Sequence, residues 1–291
     1  MDIGLLVPLS VPFGTREFVR TLGTRAEACG FHSLWVGEHV VVPETSTSEY
    51  PASEDGEMPS AVQYGELDPY TTLSYLAGFT ETIRLGACTI VPQRNPVYTA
   101  KEIANADWLS GGRIDVGVGV GWSREEFEAV AAPFERRGAR CDSYVRVMQE
   151  CWREPVSAYE DAFYQLPPSL LHPKPVQRPY PPLHVLGSTS TALRRVAAFG
   201  DGYFPLDAGP EELATQLAEL DEYLAPRGRG REDVYVSVSP YTRACDLALM
   251  ERYREVGADQ VILFAFVEDG AALEGVMEDF AKRIIEPARA L

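Results

Sequence analysis

Short apolar runs alternate with stretches of helical period along the whole chain. Residues 3–7 form an apolar run stopped by Pro8, the mark of a buried strand. Phe18, Leu22 and Ala26 then recur every four residues, a helical stripe that closes near Gly30. The same alternation predicts strands over 33–36, 84–91, 114–118, 183–186, 201–204, 234–238 and 260–264. Residues 97–109 read as a helix ending at Gly111-Gly112, and Tyr144, Val147, Met148 and Cys151 mark another. Residues 192–199 form a helix closed by Gly200. Leu213, Leu217, Leu220 and Leu224 lie at i, i+4, i+7 and i+11, and further stripes run through Leu249, Tyr253 and Val256 and through Leu273, Met277, Phe280 and Ile284.

Strands separated by helices pair in parallel, because each parallel pair needs a crossover. Eight βα units of about 36 residues fit a (β/α)8 TIM barrel with insertions, built as a single domain over 1–291. A doubly wound open sheet is the runner-up. Two stretches lie outside the pattern and predict insertions after strand 2 and before strand 5. Residues 44–68 are rich in Ser, Glu, Pro and Gly, and residues 155–181 are rich in Pro. Long loops in compact domains are commonly lids, so residues 44–68, with many breakers and few apolar anchors, are expected to be mobile without ligand.

Composition narrows the class. Hydrophobic residues make up 45% and charged residues 24%, ordinary globular usage that excludes a disordered chain. The net charge is −17, which repels phosphate backbones and anionic lipid and makes nucleic acid and membranes poor partners. No apolar run is long enough to span a bilayer. The five cysteines are odd in number and show no CxxC spacing, against both a disulfide framework and a zinc site. The first ten residues do not read as a signal peptide, so a cytoplasmic setting is expected.

Several segments carry candidate chemistry. The run Gly117-Val118-Gly119-Val120-Gly121-Trp122 follows the fourth strand. Bare glycines there permit close approach to a ligand, or tight barrel packing, the reading for Gly117 inside the strand. A dinucleotide fingerprint would need Asp142 as its acid, yet three βα units precede this run. Gly187-Ser188-Thr189 opens a helix after the fifth strand, which suits either an anion site or a plain N-cap. Arg194 and Arg195 follow one turn on, as further cations for an anion or as partners of surface carboxylates. His39, just past the second strand, has the right place for proton transfer, against the alternative of a structural histidine. Cys88 reads as a small hydrophobe without a histidine partner. No HExxH, GxSxG or Walker pattern occurs, so no metal site is expected.

In combination, residues 30–43, 67–96, 100–152 and, more faintly, 184–205 resemble the bacterial-luciferase-like flavin monooxygenase superfamily, and within it the branch that uses the deazaflavin coenzyme F420. The resemblance covers about two thirds of the chain. It implies a TIM barrel, a homodimer, and a cofactor at the C-terminal strand ends. It places His39 beside the redox ring, and Cys88 and Thr89 behind it, joined by a non-prolyl cis peptide. It assigns Gly119, Val120, Gly121, Trp122, Gly187, Ser188 and Thr189 to the cofactor tail and phosphate. Relatives that oxidise sugar phosphates carry a glutamate directly after the strand-four glycines. Here Trp122 stands there, and Pro8-Leu9-Ser10 also lacks a carboxylate, so an apolar substrate stacked on Trp122 fits better. The activity implied is hydride exchange between F420 and a small organic substrate. The alternatives are an FMN-dependent monooxygenase and a non-enzymatic flavin- or deazaflavin-binding protein on the same barrel.

Overall fold

The first helix shows how local chemistry sets the elements. Thr15 accepts the Phe18 amide at its start, and Gly30 closes it in the left-handed region at φ 83°, which a Cβ disfavours. The computed structural model describes every residue except 52, 54–55, 59–64, 242 and 289–291. In chain order the elements are β1 (Asp2–Leu6), α1 (Arg16–Cys29), β2 (Ser33–Val36), α2 (Pro69–Ala77), β3 (Arg84–Ile90), α3 (Pro96–Ser110), β4 (Ile114–Gly119), α4 (Arg124–Ala129) and α5 (Arg137–Arg153). There follow β5 (Ser157–Glu160), β6 (Gln165–Ser169), β7 (Leu183–Leu186), α6 (Ser190–Phe199), β8 (Gly202–Phe204), α7 (Pro210–Leu224), β9 (Tyr235–Val238), α8 (Leu247–Glu255), β10 (Gln260–Phe264), α9 (Gly270–Phe280) and α10 (Glu286–Ala288).

Eight strands close into a parallel barrel in the order β1-β10-β9-β8-β7-β4-β3-β2. β1 pairs with both β10 and β2, so the barrel has no edge strand and the doubly wound alternative is excluded. The strand alternation splits the core in two. Leu34 and Val36 join the large cluster packed under the helices, while Trp35 between them meets Leu6, Phe204 and Ile262 inside the barrel. Room for these side chains comes from missing ones: a Cβ on Gly86 would lie 2.4 Å from the Trp35 ring, and one on Gly202 would lie 2.2 Å from His184. Among the described residues no helix is long and apolar enough to cross a membrane.

Two expectations change, and one helix is added. Residues 155–181 are not a structureless loop: β5 and β6 form an antiparallel hairpin there. Residues 37–68 run between β2 and α2, and α2 itself went unread in the pattern. The Cys88–Thr89 bond is trans. β3 stays in unbroken register with β4 through Cys88↔Gly117, Thr89↔Val118 and Ile90↔Gly119, which keeps its backbone extended where the cis peptide was expected.

Candidate active site

All eight barrel strands run the same way, so the residues that follow them gather at one mouth. β2 ends at Val36, and the chain carries on through Glu38 to His39. His39 Nδ1 lies 2.5 Å from Glu126 Oε1, with the two side chains 13% and 3% exposed. Glu126 stands in the first turn of α4 because Ser123 accepts its amide at 3.2 Å and starts the helix directly after the β4 glycines. Its second oxygen accepts Gln93 Nε2 at 3.2 Å. Burial disfavours the imidazolium, but the Glu126 bond and the charges of Glu126, Glu66 and Glu38 outweigh it and raise the His39 pKa. Glu66 reaches the mouth through a ladder bridge to Ser10, supported by the Leu67 amide donating to the Leu9 carbonyl at 3.1 Å. Burial raises its pKa, partly offset by His39.

Glu38 faces the other way. Its Oε2 accepts the Ile90 amide at 2.6 Å, and its Oε1 lies 3.3 Å from Arg94. Burial pushes its carboxyl up to about 7 despite both partners. Arg94 also reaches Asp68 at 3.0 Å and Glu102 at 3.5 Å, and it lies over the Tyr70 ring. The Tyr70 hydroxyl is 2.6 Å from Thr89 Oγ1.

The mouth is otherwise apolar. Trp122 receives His39 and Tyr50 edge-on, with centroids 6.3 and 5.3 Å away. The Tyr50 hydroxyl is 3.1 Å from that of Tyr241, whose ring packs on Phe264. Cys88, Leu186, Leu206 and Phe264 form a partly buried floor over the barrel interior. Burial, with Glu66 and Glu38 nearby, pushes the Cys88 thiol up to about 12, so it is no nucleophile. The segment before α2 crosses to α4, where the Glu125 carboxylate accepts the Thr47 amide at 2.7 Å and the Thr47 hydroxyl at 2.8 Å. The part of the expected lid at 52, 54–55 and 59–64 lies outside the described residues.

The predicted site residues separate into three groups. His39 and Trp122 meet at the mouth, and Cys88 packs on the interior cluster of Leu6, Trp35, Phe204 and Ile262. Thr89 is fully buried, its hydroxyl taken by Tyr70. Val120 packs against the large core, and packing accounts for its neighbours too. A Cβ on Gly119 would meet Ile90 at 3.1 Å, and one on Gly121, at φ +74°, would meet Phe127 at 2.7 Å. Gly187, Ser188 and Thr189 form the third group at the head of α6. All three are exposed. Thr189 caps the helix by accepting the Ala192 amide at 3.2 Å. Gly187 has φ +100° and open space, since a Cβ there would meet only Ala192 at 4.0 Å.

Arg195 pairs with Asp142 at 2.6 Å, which takes up the acid of the dinucleotide reading. Arg137 donates to the Gly121 carbonyl at 2.9 Å. Desolvation first, then Arg124 and Arg195, lower the Arg137 pKa. The open helix head at Gly187 fits an anionic cofactor tail, and the apolar floor fits a flat ring, while Arg124 and Arg195 are already paired with Glu135 and Asp142. The inference from sequence missed Glu66, Glu126, Gln93, Arg94, Tyr50 and Tyr241. Ser123-x-x-Glu126 is a helix-start signature and could have placed Glu126 at the mouth.

The family model for luciferase-like monooxygenases matches residues 8–289. Uncharacterized protein Rv0953c of Mycobacterium tuberculosis is 31% identical over 198 residues, 67% of this chain and 70% of that protein. The FMNH(2)-dependent dimethylsulfone monooxygenase of Pseudomonas putida is 28% identical over 60% of this chain and 48% of its own length. Among solved structures, monooxygenase RslO1 from Streptomyces bottropensis superposes with a TM-score of 0.80 at 19% identity, covering 99% of this chain and 100% of that one. The coenzyme F420-dependent tetrahydromethanopterin reductase from Methanopyrus kandleri superposes at 0.76 with 15% identity, covering 98% of each chain. At those identities the two structures are likenesses of fold.

Proposed function

Because the chain belongs to the luciferase-like monooxygenase family, we propose that it is an oxidoreductase exchanging a hydride between coenzyme F420 and a small, uncharged organic substrate. The observation that carries this reading is the His39–Glu126 pair at 2.5 Å, sheltered at the mouth beside an apolar floor. Hydride exchange moves a proton as well as a hydride, and a buried imidazole held by a carboxylate suits that task near neutral pH. When bound, the deazaflavin supplies the hydride chemistry. Gly187, Ser188 and Thr189 would hold its phosphate-bearing tail. Cys88, Leu186 and Phe264 would support its ring. Trp122 and Tyr50 offer rings to an apolar substrate, and the carboxylates of Glu66 and Glu126 repel anionic ones.

The second reading is an FMN-dependent monooxygenase, favoured by the 28% identity to an FMNH(2)-dependent relative. Titration of the purified protein with F420, FMN and NADPH separates them. Tight F420 binding, and hydride exchange seen as loss or gain of the reduced coenzyme's spectrum, is the expected result. Binding of FMN alone, with oxygen consumption in the presence of reduced FMN, would overturn the F420 reading.

A further inference from the structure

We propose that Glu126 is a positioning residue: it holds His39 as an imidazolium with Nδ1–H committed to its carboxylate, so that His39 is the acid of the reaction and the organic substrate is the electron acceptor. Only the second half rests on the oxidoreductase reading above, since the charge state of His39 is a property of this chain alone.

The geometry carries the argument. Both oxygens of Glu126 are used, one on His39 Nδ1 at 2.5 Å and one on Gln93 Nε2 at 3.2 Å. A carboxylate has no proton to give, so the ring donates its Nδ1–H in the short contact, and the surrounding carboxylates of Glu126, Glu66 and Glu38 favour the imidazolium over the neutral Nδ1–H tautomer. Glu126 is 2% exposed and Gln93 9%, so water competes poorly for either bond. The partners come from three separate elements. Ser123 fixes the backbone of Glu126 at the start of α4. Gln93 sits on the tight turn Val91–Gln93 after β3, and His39 follows β2. The other charges felt by His39 have the same sign: Glu66 from the stretch before α2, and Glu38 next to it in sequence. Trp122 closes one side with its ring. Arg94, a nearby cation, is directed at Glu38, Asp68 and Glu102.

With Nδ1 committed, Nε2 is the nitrogen left to exchange a proton. In the reductive direction a bound reduced deazaflavin would supply the hydride, with its two electrons, to a substrate carbon. The Nε2–H bond of His39 breaks, and its proton joins the neighbouring substrate atom, the oxygen of a carbonyl or the far carbon of a conjugated alkene. The substrate would gain two hydrogens, with both electrons supplied by the cofactor, and His39 would be left neutral until water returns its proton. A substrate able to accept electrons in this way is a carbonyl compound or a conjugated alkene.

The test is the ring-nitrogen spectrum of the four histidines in the full cofactor-free chain, recorded by long-range ¹H–¹⁵N correlation across pH and assigned with His39→Gln. Expected is an imidazolium pattern for His39 at pH 7. In Glu126→Gln its titration midpoint should fall by one unit or more, about tenfold less imidazolium at a given pH above both midpoints. Neutral His39 at pH 7 in the native chain, or an unmoved midpoint in the variant, overturns the proposal. Should Glu126→Gln fail to fold, Glu126→Asp withdraws the carboxylate by one methylene and must still lower the midpoint. An imidazolium His39 in a chain that binds no F420 would sink the F420 reading and leave the role of Glu126 standing. F420 turnover with a neutral His39 would do the reverse. Turnover that runs only in the oxidising direction would overturn the assignment of the substrate as acceptor.

Discussion

Replacing Glu38 with Gln should make the protein more stable at alkaline pH than the native chain. The Glu38 carboxyl is 5% exposed and is pushed by burial from its ordinary 4.5 to about 7. Between those two values the folded chain keeps a proton that the unfolded chain has lost. Stability therefore falls as pH rises through this window, by about 1.4 kcal/mol per pH unit, and levels off above about pH 7. The whole loss is about 3 kcal/mol. A glutamine keeps the shape and can still accept the Ile90 amide, but carries no proton to lose. Losing the Arg94 contact adds an offset that does not vary with pH, since Arg94 keeps Asp68 and Glu102. The assay is urea unfolding of both proteins at pH 5, 6, 7 and 8, comparing midpoints at constant slope. The stability of the variant minus that of the native chain should climb by about 2.5 kcal/mol from pH 5 to pH 8. A difference that stays flat, or falls, would mean that Arg94 keeps Glu38 ionised throughout, and the burial argument would fail.

Three further outcomes follow from the same geometry. His39→Ala should cut turnover per folded molecule by about 10²–10⁴ with little change in cofactor affinity; lowered melting temperature with near-normal turnover would make His39 structural. Gly187→Leu should weaken F420 binding about tenfold or more and cost about 1–2 kcal/mol for the left-handed backbone, read by titration and thermal melting, while unchanged affinity would move the phosphate site elsewhere. Asp107→Ala should destabilise by about 2–4 kcal/mol in denaturant unfolding, because the fully buried Asp107 accepts the amides of Val176 and Gln177 at 2.6 and 3.0 Å and the Gln177 side chain at 2.7 Å.

Hydrophobic period is a local property, and it was enough to locate every barrel strand within a residue or two and to imply parallel pairing. Strand 33–36 and strand 183–186 match their observed bounds. The same local reading put His39 and Trp122 at the mouth, because a residue just past a parallel strand has nowhere else to be. It passed over α2, whose short stripe of Tyr70, Leu73 and Leu76 follows a long polar stretch, and over the proline-rich β5–β6 hairpin, whose pairing depends on its partner strand. For Gly119 and Gly121 it left ligand approach and packing both open; the position of Ile90 and Phe127 supplies a packing reason for the bare glycines. The carboxylates were the larger omission. Glu126 lies 87 residues from His39 along the chain, and Glu38 is unusual only because the folded barrel denies it water. Periodicity reports which face of an element is apolar. Which charges end up facing one another, and how dry they are, depends on barrel closure and strand register, and those exist only in the folded molecule.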